Sequence, residues 1–281
     1  MSPALASQLK GIPVIGQLVD ILQFTDGEAE GGSITDGSDV SSISRLEENG
    51  FEKIVIGFTQ NDELQADAGA FMVSYAENPY TMQFEIGGAR GFSAQEQFAA
   101  IKESPYVKDV YPLMTLDDSL IRFIIEFTRP VDYEVMEMKD PASIVLYVKE
   151  GEQAVETTTY SLRTQSYPYG EAIGHLEERL MDADPSRMLK DAEGMYFIEV
   201  QQFDTEEEAV QKRNELAVQM DDVTLFVEER RGVEAPVNDP AQTEKTNEGD
   251  AGQSEAELEA PAFFQSPLKK TARRMMAISS S

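Results

Sequence analysis

Between residues 46 and 152 apolar side chains recur at every second position in short runs. KIVIGFT, AFMVSYA, YTMQFEI, VKDVYPL, LIRFIIEF, YEVMEM and SIVLYVK alternate or run apolar over a strand's length, which is the period that places one set of side chains on one face of a sheet. Asn-Pro, Gly-Gly, Asp-Asp and Asp-Pro pairs punctuate them as turns. Seven short strands with regular turns predict a β-sandwich. SAQEQFAAIKE, residues 93–103, predicts one short helix, with Ser93 and Glu96 spaced as a capping box.

From residue 157 to 230 the pattern is a strand–helix–strand unit written twice, TTYSLRTQSYPYGEAIGHLEERLMDADPSRMLKD and then MYFIEVQQFDTEEEAVQKRNELAVQMDDVTLFVEER. This predicts a small ferredoxin-like βαββαβ domain, so the fold class is α+β. Alternation assigns Leu162, Ile198, Val200, Leu225 and Val227 to the face under the helices. The first helix offers Ile173, Leu176 and Leu180; the second offers Ala209, Leu216, Ala217 and Met220, interrupted by Arg213 and started by Thr205 and Glu208. The opposite face, expected to be open, carries Ser161, Arg163, Gln165, Phe197, Glu199, Gln201, Thr224 and Phe226. Of these, Arg163, Gln165, Phe197, Glu199, Gln201 and Phe226 are the candidate glycan-binding residues. Aromatic rings stack on a sugar, and guanidinium and amide groups bond its hydroxyl and N-acetyl groups. Two exposed phenylalanines equally suit a protein contact or packing on the first domain.

The ends read differently. In residues 1–25, Pro13 is placed to start a helix with Ile15, Leu18, Ile21 and Leu22 on one face. The segment predicts a helical lead docked on the next domain, and it lacks the basic face of a membrane-surface helix. Residues 26–45, rich in Gly, Ser and Asp, read as a linker, and 231–281 as a disordered acidic tail. That tail ends in a patch holding Phe263, Phe264, Lys269, Lys270, Arg273 and Arg274.

The formal charge of −29 argues against a general nucleic-acid binder, which needs a basic footprint. Without cysteine there is no disulfide framework, thiolate metal site or cysteine nucleophile. His175 is the sole histidine and lies within the first amphipathic helix with no nucleophile motif elsewhere. No cofactor is indicated, and Asp and Glu form no paired-carboxylate or metal-spacing signature, so an enzyme is disfavoured. No apolar run reaches the length of a membrane span.

Three resemblances add to this reading. Asn78, Pro79, Phe84, Ile86, Gly88, Ala89, Ile124, Ile125, Phe127 and Tyr133 take places in a pattern that resembles the AMIN domain, an envelope-targeting β-sandwich of bacterial amidases and secretins. Tyr160, Leu162, Tyr167, Ala172 and Leu180, then Tyr196, Ile198, Val200, Phe203, Ala209 and Leu216, make the duplicated unit similar to a SPOR domain, a peptidoglycan-binding module. It departs from that family at Glu199 and Gln201, where glutamine and glycine are common. Ser2, Pro3, Ala6, Ile12, Pro13, Gly16 and Leu18 resemble the membrane-proximal stretch of bacterial anti-sigma-factor-like ectodomains, which implies an upstream transmembrane helix. The expectation is a non-catalytic, extracytoplasmic binder of peptidoglycan glycan strands in the bacterial envelope. The alternative is a membrane-anchored signalling ectodomain whose partner is an envelope protein.

Overall fold

The computed structural model describes residues 16–238 apart from 49, 153–156, 182–185 and 221. Within that range the chain is a strand-rich α+β protein with three sheets. In the first, β1 (Gln17–Ile21), β11 (Val131–Lys139), β12 (Ser143–Glu150), β4 (Phe51–Gln60), β3 (Ser38–Glu48) and β8 (Ala89–Gly91) lie side by side, with β5 (Glu63–Leu64) paired to β4. The second has the order β2 (Glu28–Gly31), β6 (Phe71–Ala76), β7 (Thr81–Gly87), β10 (Leu120–Phe127), β9 (Val107–Pro112). The third runs β14 (Arg187–Lys190), β15 (Tyr196–Phe203), β13 (Thr158–Thr164), β16 (Leu225–Arg231), all antiparallel. Helix α1 (Phe98–Ile101) follows a 3-10 turn, while α2 (Glu171–Arg179) and α3 (Glu206–Gln219) belong to the third sheet.

The first two sheets share one apolar core. Strand β4 turns Ile54, Ile56 and Phe58 into it; β12 adds Ile144, Leu146 and Val148; β7 and β10 add Met82, Phe84, Ile86, Phe123, Ile125 and Phe127. Phe84 and Phe123 stack with centroids 5.0 Å apart. The seven strands read from alternation are all present. The ordered part begins earlier than expected, however.

The helix expected from Pro13 onward is, over its described residues, instead β1, whose Leu18 pairs with Met138 and Ile21 with Met136. An unpaired edge of β11 supplies backbone partners, and β-branched Val19 and Ile21 favour the extended form, which outweighs helical spacing. The expected linker 26–45 is also structured. It contains β2 and most of β3, and β3 buries Val40 and Ile43 in the core. Its Gly27, Gly32 and Gly37 hold positive φ and serve as turn residues between strands. Ser93 does not cap a helix: its N–H and hydroxyl both donate to Asp39, at 3.0 and 2.7 Å. The anticipated box is lost to a long-range carboxylate that satisfies the same donor.

The third sheet docks on the outer face of the second. Strand β10 is apolar almost throughout because both its faces are covered: Phe123 and Ile125 face the first core, whereas Ile124 joins Tyr111, Leu113, Leu162, Ile173 and Ile198 in another. Under the helices Leu162, Ile198, Val200, Leu225 and Val227 pack as alternation assigns them, with Ile173 and Leu176 from α2 and Leu180 just past its end. Ala217, expected inward on α3, is exposed; Ala209 and Leu216 are that helix's buried positions. Thr205 caps α3 as expected, accepting from the Glu208 N–H at 3.3 Å, and its hydroxyl also donates to the Glu208 carboxylate. Helix α2 lies so close to the segment after β9 that a Cβ on Gly174 would fall 3.2 Å from Leu116.

One bidentate pair clamps this docking. Arg122 donates from Nη1 and Nη2 to the two carboxylate oxygens of Glu177, at 2.7 and 2.8 Å. Its neighbourhood is largely dry, so the pair is worth more than a surface ion pair. In a double-mutant cycle of Arg122→Ala and Glu177→Ala, chemical denaturation should show a coupling of about 1–3 kcal/mol. Additive effects would show that the contact does not hold the units together.

Candidate functional site

The sheet face opposite the helices is closed in the structure. Arg163, Phe197, Glu199 and Phe226, four of the candidate glycan-binding residues, are buried together with Ser161. The Arg163 guanidinium lies 3.4 Å from the Phe197 ring centroid and 5.2 Å from that of Phe226, so stacking and quadrupole attraction are used within the molecule. Its Nη1 donates to Glu228 at 3.0 Å, Nη2 to the Ser166 hydroxyl at 2.6 Å and Nε to the Thr164 carbonyl at 3.1 Å. A buried charge persists only when partnered in this way.

Two pieces of chain close the face. One is residues 232–238, expected as the start of a disordered tail, which fold back over the sheet and bury Pro236. The rest of that tail, with its basic end, lies outside the described residues, as do residues 1–15 of the lead and most positions that carry the anti-sigma resemblance. The other is the turn at Glu77–Asn78 between β6 and β7. The Asn78 carbonyl accepts from Gln202 at 2.6 Å, Arg187 at 2.8 Å and Arg230 at 2.9 Å. The Glu77 carbonyl accepts from Arg187 at 2.9 Å.

Glu199 organises these donors. It accepts from the Ser161 hydroxyl at 2.6 Å, from Arg187 Nε at 2.6 Å and from Gln202 at 3.0 Å, and it pairs closely with Arg230. Burial by itself would raise its carboxyl pKa, but the charges of Arg187 and Arg230, with the Ser161 hydrogen bond, bring it down to about 2.

The remaining candidates leave this face. Between Leu162 and Arg163 the β13–β15 register shifts, so that Arg163 pairs with Glu199 and Leu162 with Gln201. Val200 is the extra residue of a β-bulge, which re-aims the strand and moves Gln201 to the side of Leu162 and the helices. Gln165, just past the end of β13, is exposed and bonds the Tyr167 hydroxyl at 2.8 Å; Thr224 precedes β16 and is exposed. Strict alternation therefore misplaced Gln201 and extended the face too far at Gln165 and Thr224. It also missed Arg187, Gln202, Glu228 and Arg230. The available signal was charge complementarity, since three arginines and two glutamates occur at same-face positions of neighbouring strands.

What stays open is a groove of about 830 Å³ beside the bulge. Its walls are the ends of β13 and β15, one side of α3 and the Glu77–Asn78 turn. Gln201, Gln202 and Gln211 contribute amides, Thr157 and Thr159 hydroxyls, and Phe203 a half-buried ring. Glu77, Asp204, Glu208 and Glu215 outnumber Lys212, the only cation among the described residues of the lining. Four carboxylates against one ammonium disfavour a phosphorylated ligand; amides, hydroxyls and a ring suit an uncharged polyhydroxylated one. His175 is exposed on α2, 3.6 Å from Glu178 and away from both places. Among the described residues no group of three or more His, Asp or Glu side chains is placed to hold a metal ion. No family model and no curated protein matches the chain.

Glu199 makes stability depend on acid. Its folded pKa lies below the unfolded value of 4.5. Its contribution is complete above that value and is lost as pH falls through 4.5 toward about 2. Native chain should lose roughly 3 kcal/mol over this range from that group alone. Glu199→Gln should be less stable at pH 7 and show a flatter decline in acid, read by denaturant melts across pH. Parallel pH curves would contradict the assignment.

Proposed function

We propose that the chain is a non-catalytic, extracytoplasmic protein of the bacterial cell envelope that binds peptidoglycan glycan strands. The groove beside the bulge carries this reading, because its amides, hydroxyls and half-buried Phe203 form the set that recognises a sugar's hydroxyl and N-acetyl groups. Two further features support it. The duplicated unit has two helices and a four-stranded sheet with its first and third strands central, in keeping with the SPOR-like resemblance. The two sheets around one core are in keeping with the AMIN-like one. In this reading the ligand contact differs from the one expected from sequence: Gln201 keeps a place in it, whereas Arg163, Phe197, Glu199 and Phe226 support the fold beneath.

A second reading is favoured by β1, which among the described residues is an edge strand with Leu18 and Val19 53% and 47% exposed. An unpaired apolar edge offers a protein partner backbone hydrogen bonds and side-chain contact. That suits the ectodomain of a membrane-anchored, anti-sigma-type signalling protein.

Co-sedimentation with purified peptidoglycan, intact and stripped of stem peptides, separates the two. The glycan reading expects retention on both preparations. A Gln201→Ala, Gln211→Ala double variant should weaken it roughly tenfold without changing the melting temperature. Arg163→Ala should instead lower the melting temperature, because it removes the closest charged partner of buried Glu228. Failure of the native chain to sediment with either preparation overturns the glycan reading.

A further inference from the structure

The chain beyond β16 behaves as a ligand of its own third sheet. A turn closes at Arg231–Glu234, where the Glu234 N–H donates to the Arg231 carbonyl at 3.1 Å, and the chain then returns across the sheet face. Three contacts seat it. The Ala192 N–H donates to the Pro236 carbonyl at 2.9 Å. The Val237 N–H donates to Glu228 Oε1 at 2.6 Å, and Arg163 Nη1 donates to the Val237 carbonyl at 3.3 Å. The last two contacts are complementary: both main-chain polar groups of one residue are read by the two members of a single ion pair, Arg163–Glu228.

The chemistry identifies the ligand class. The N–H and C=O being read flank one Cα and belong to consecutive amides, which a peptide has and a sugar's single acetamide lacks. The Val237 side chain is 46% exposed, so it is not selected, whereas Pro236 is buried. The receptor is also preorganised. Arg163 is held by Phe197, Thr164 and Ser166, none of which belongs to the returning segment. A site fixed before its ligand arrives loses little on binding.

We infer that this face of the third sheet is a peptide-binding site, filled in cis by Pro236–Asn238, which takes in trans an extended segment with proline followed by a residue of unrestricted side chain. The cis segment competes through its tether, which presents it at a high effective concentration. Weakening the cis contact should therefore raise affinity for the same segment supplied free. The inference is independent of the glycan groove, which lies at the other side of the bulge.

The test uses the full chain and a fluorescent peptide of residues 232–238, GVEAPVN, followed by anisotropy. Val237→Pro removes the N–H that Glu228 accepts, at a position whose side chain is exposed. Pro236→Gly empties the ring's place without touching Arg163 or Glu228. Val237→Pro should bind the peptide about tenfold more tightly than the native chain, the worth of a hydrogen bond to a charged group, and Pro236→Gly should also bind it more tightly because burial of the ring is lost. A peptide N-methylated at the Val237 position should bind none of the three chains. Equal affinity for native and variant chains, no binding to the variants, or full binding of the N-methylated peptide would each overturn the proposal.

Discussion

A carboxylate that has left water must be surrounded by donors, and much of this molecule follows from meeting that demand at Glu199. Its side chain sits on a central strand of the third sheet and is 2% exposed. Arg187 on β14 and Arg230 on β16 reach it across the same face from opposite directions, with Ser161 from β13 between β15 and β16. Each guanidinium has more donors than one carboxylate can accept. The surplus goes to the Asn78 carbonyl, and through Arg187 also to that of Glu77, on the β6–β7 turn. A carboxylate in one sheet thereby locates a turn of another. The satisfaction is incomplete, since Nε and Nη1 of Arg230 lack hydrogen-bond partners. Such a network sets position as well as adding stability, because a buried charge is tolerated only where its partners are well placed.

Stability of the same junction comes from apolar area. Tyr111, Leu113 and Ile124 enter the core of the third sheet, and Tyr111 meets Tyr196 edge-on with centroids 6.0 Å apart. Area removed from water contributes at about 25 cal/mol per Å² whatever its orientation, so it cannot choose an angle between two sheets. The polar pairs at its margin can. Arg122–Glu177 fixes α2, and Lys190 with Asp109 and the Tyr111 ring fixes β14. Burial alone would raise the Asp109 pKa, but the hydrogen bonds and charges of Lys102 and Lys190 hold it below the usual carboxylate value.

How much of this was legible depends on what each residue type signals. Alternation located the strands of residues 46–152 and the helix-facing core of the third sheet, because Ile, Leu, Val and Phe mark burial by themselves. Arg163 and Glu199 do not: a pattern that reads charge as solvent exposure places them outside, and only their partners on other strands bury them. The Val200 bulge was equally silent, since one extra residue leaves no compositional trace yet reverses Gln201. Residues 17–21 and 26–45 depart from their sequence pattern for a different reason. Their spacing and glycine content describe local preferences, and the backbone partners offered by β11, β4 and β6 override those. The run LIRFIIEF did hold a sign of the docking, as a strand apolar on both faces needs two covers.

The closed face and the open groove are consequences of one register shift. Upstream of the bulge, β15 turns Phe197 and Glu199 toward the ion network; past it, Gln201 and Phe203 point to the side of Leu162 and Tyr160, where α3 rises. Without the extra residue, Gln201 would continue the row of Glu199 and bring an amide into a cluster whose donors already suffice. With it, the strand supplies a buried anion to its own fold and uncharged hydrogen-bonding groups to solvent. The separation is chemically useful in a chain of formal charge −29. An acidic surface repels anionic polymers over the range of the Debye length, so the contacts that remain productive are those of amide, hydroxyl and ring, which are the groups the bulge delivers to the groove.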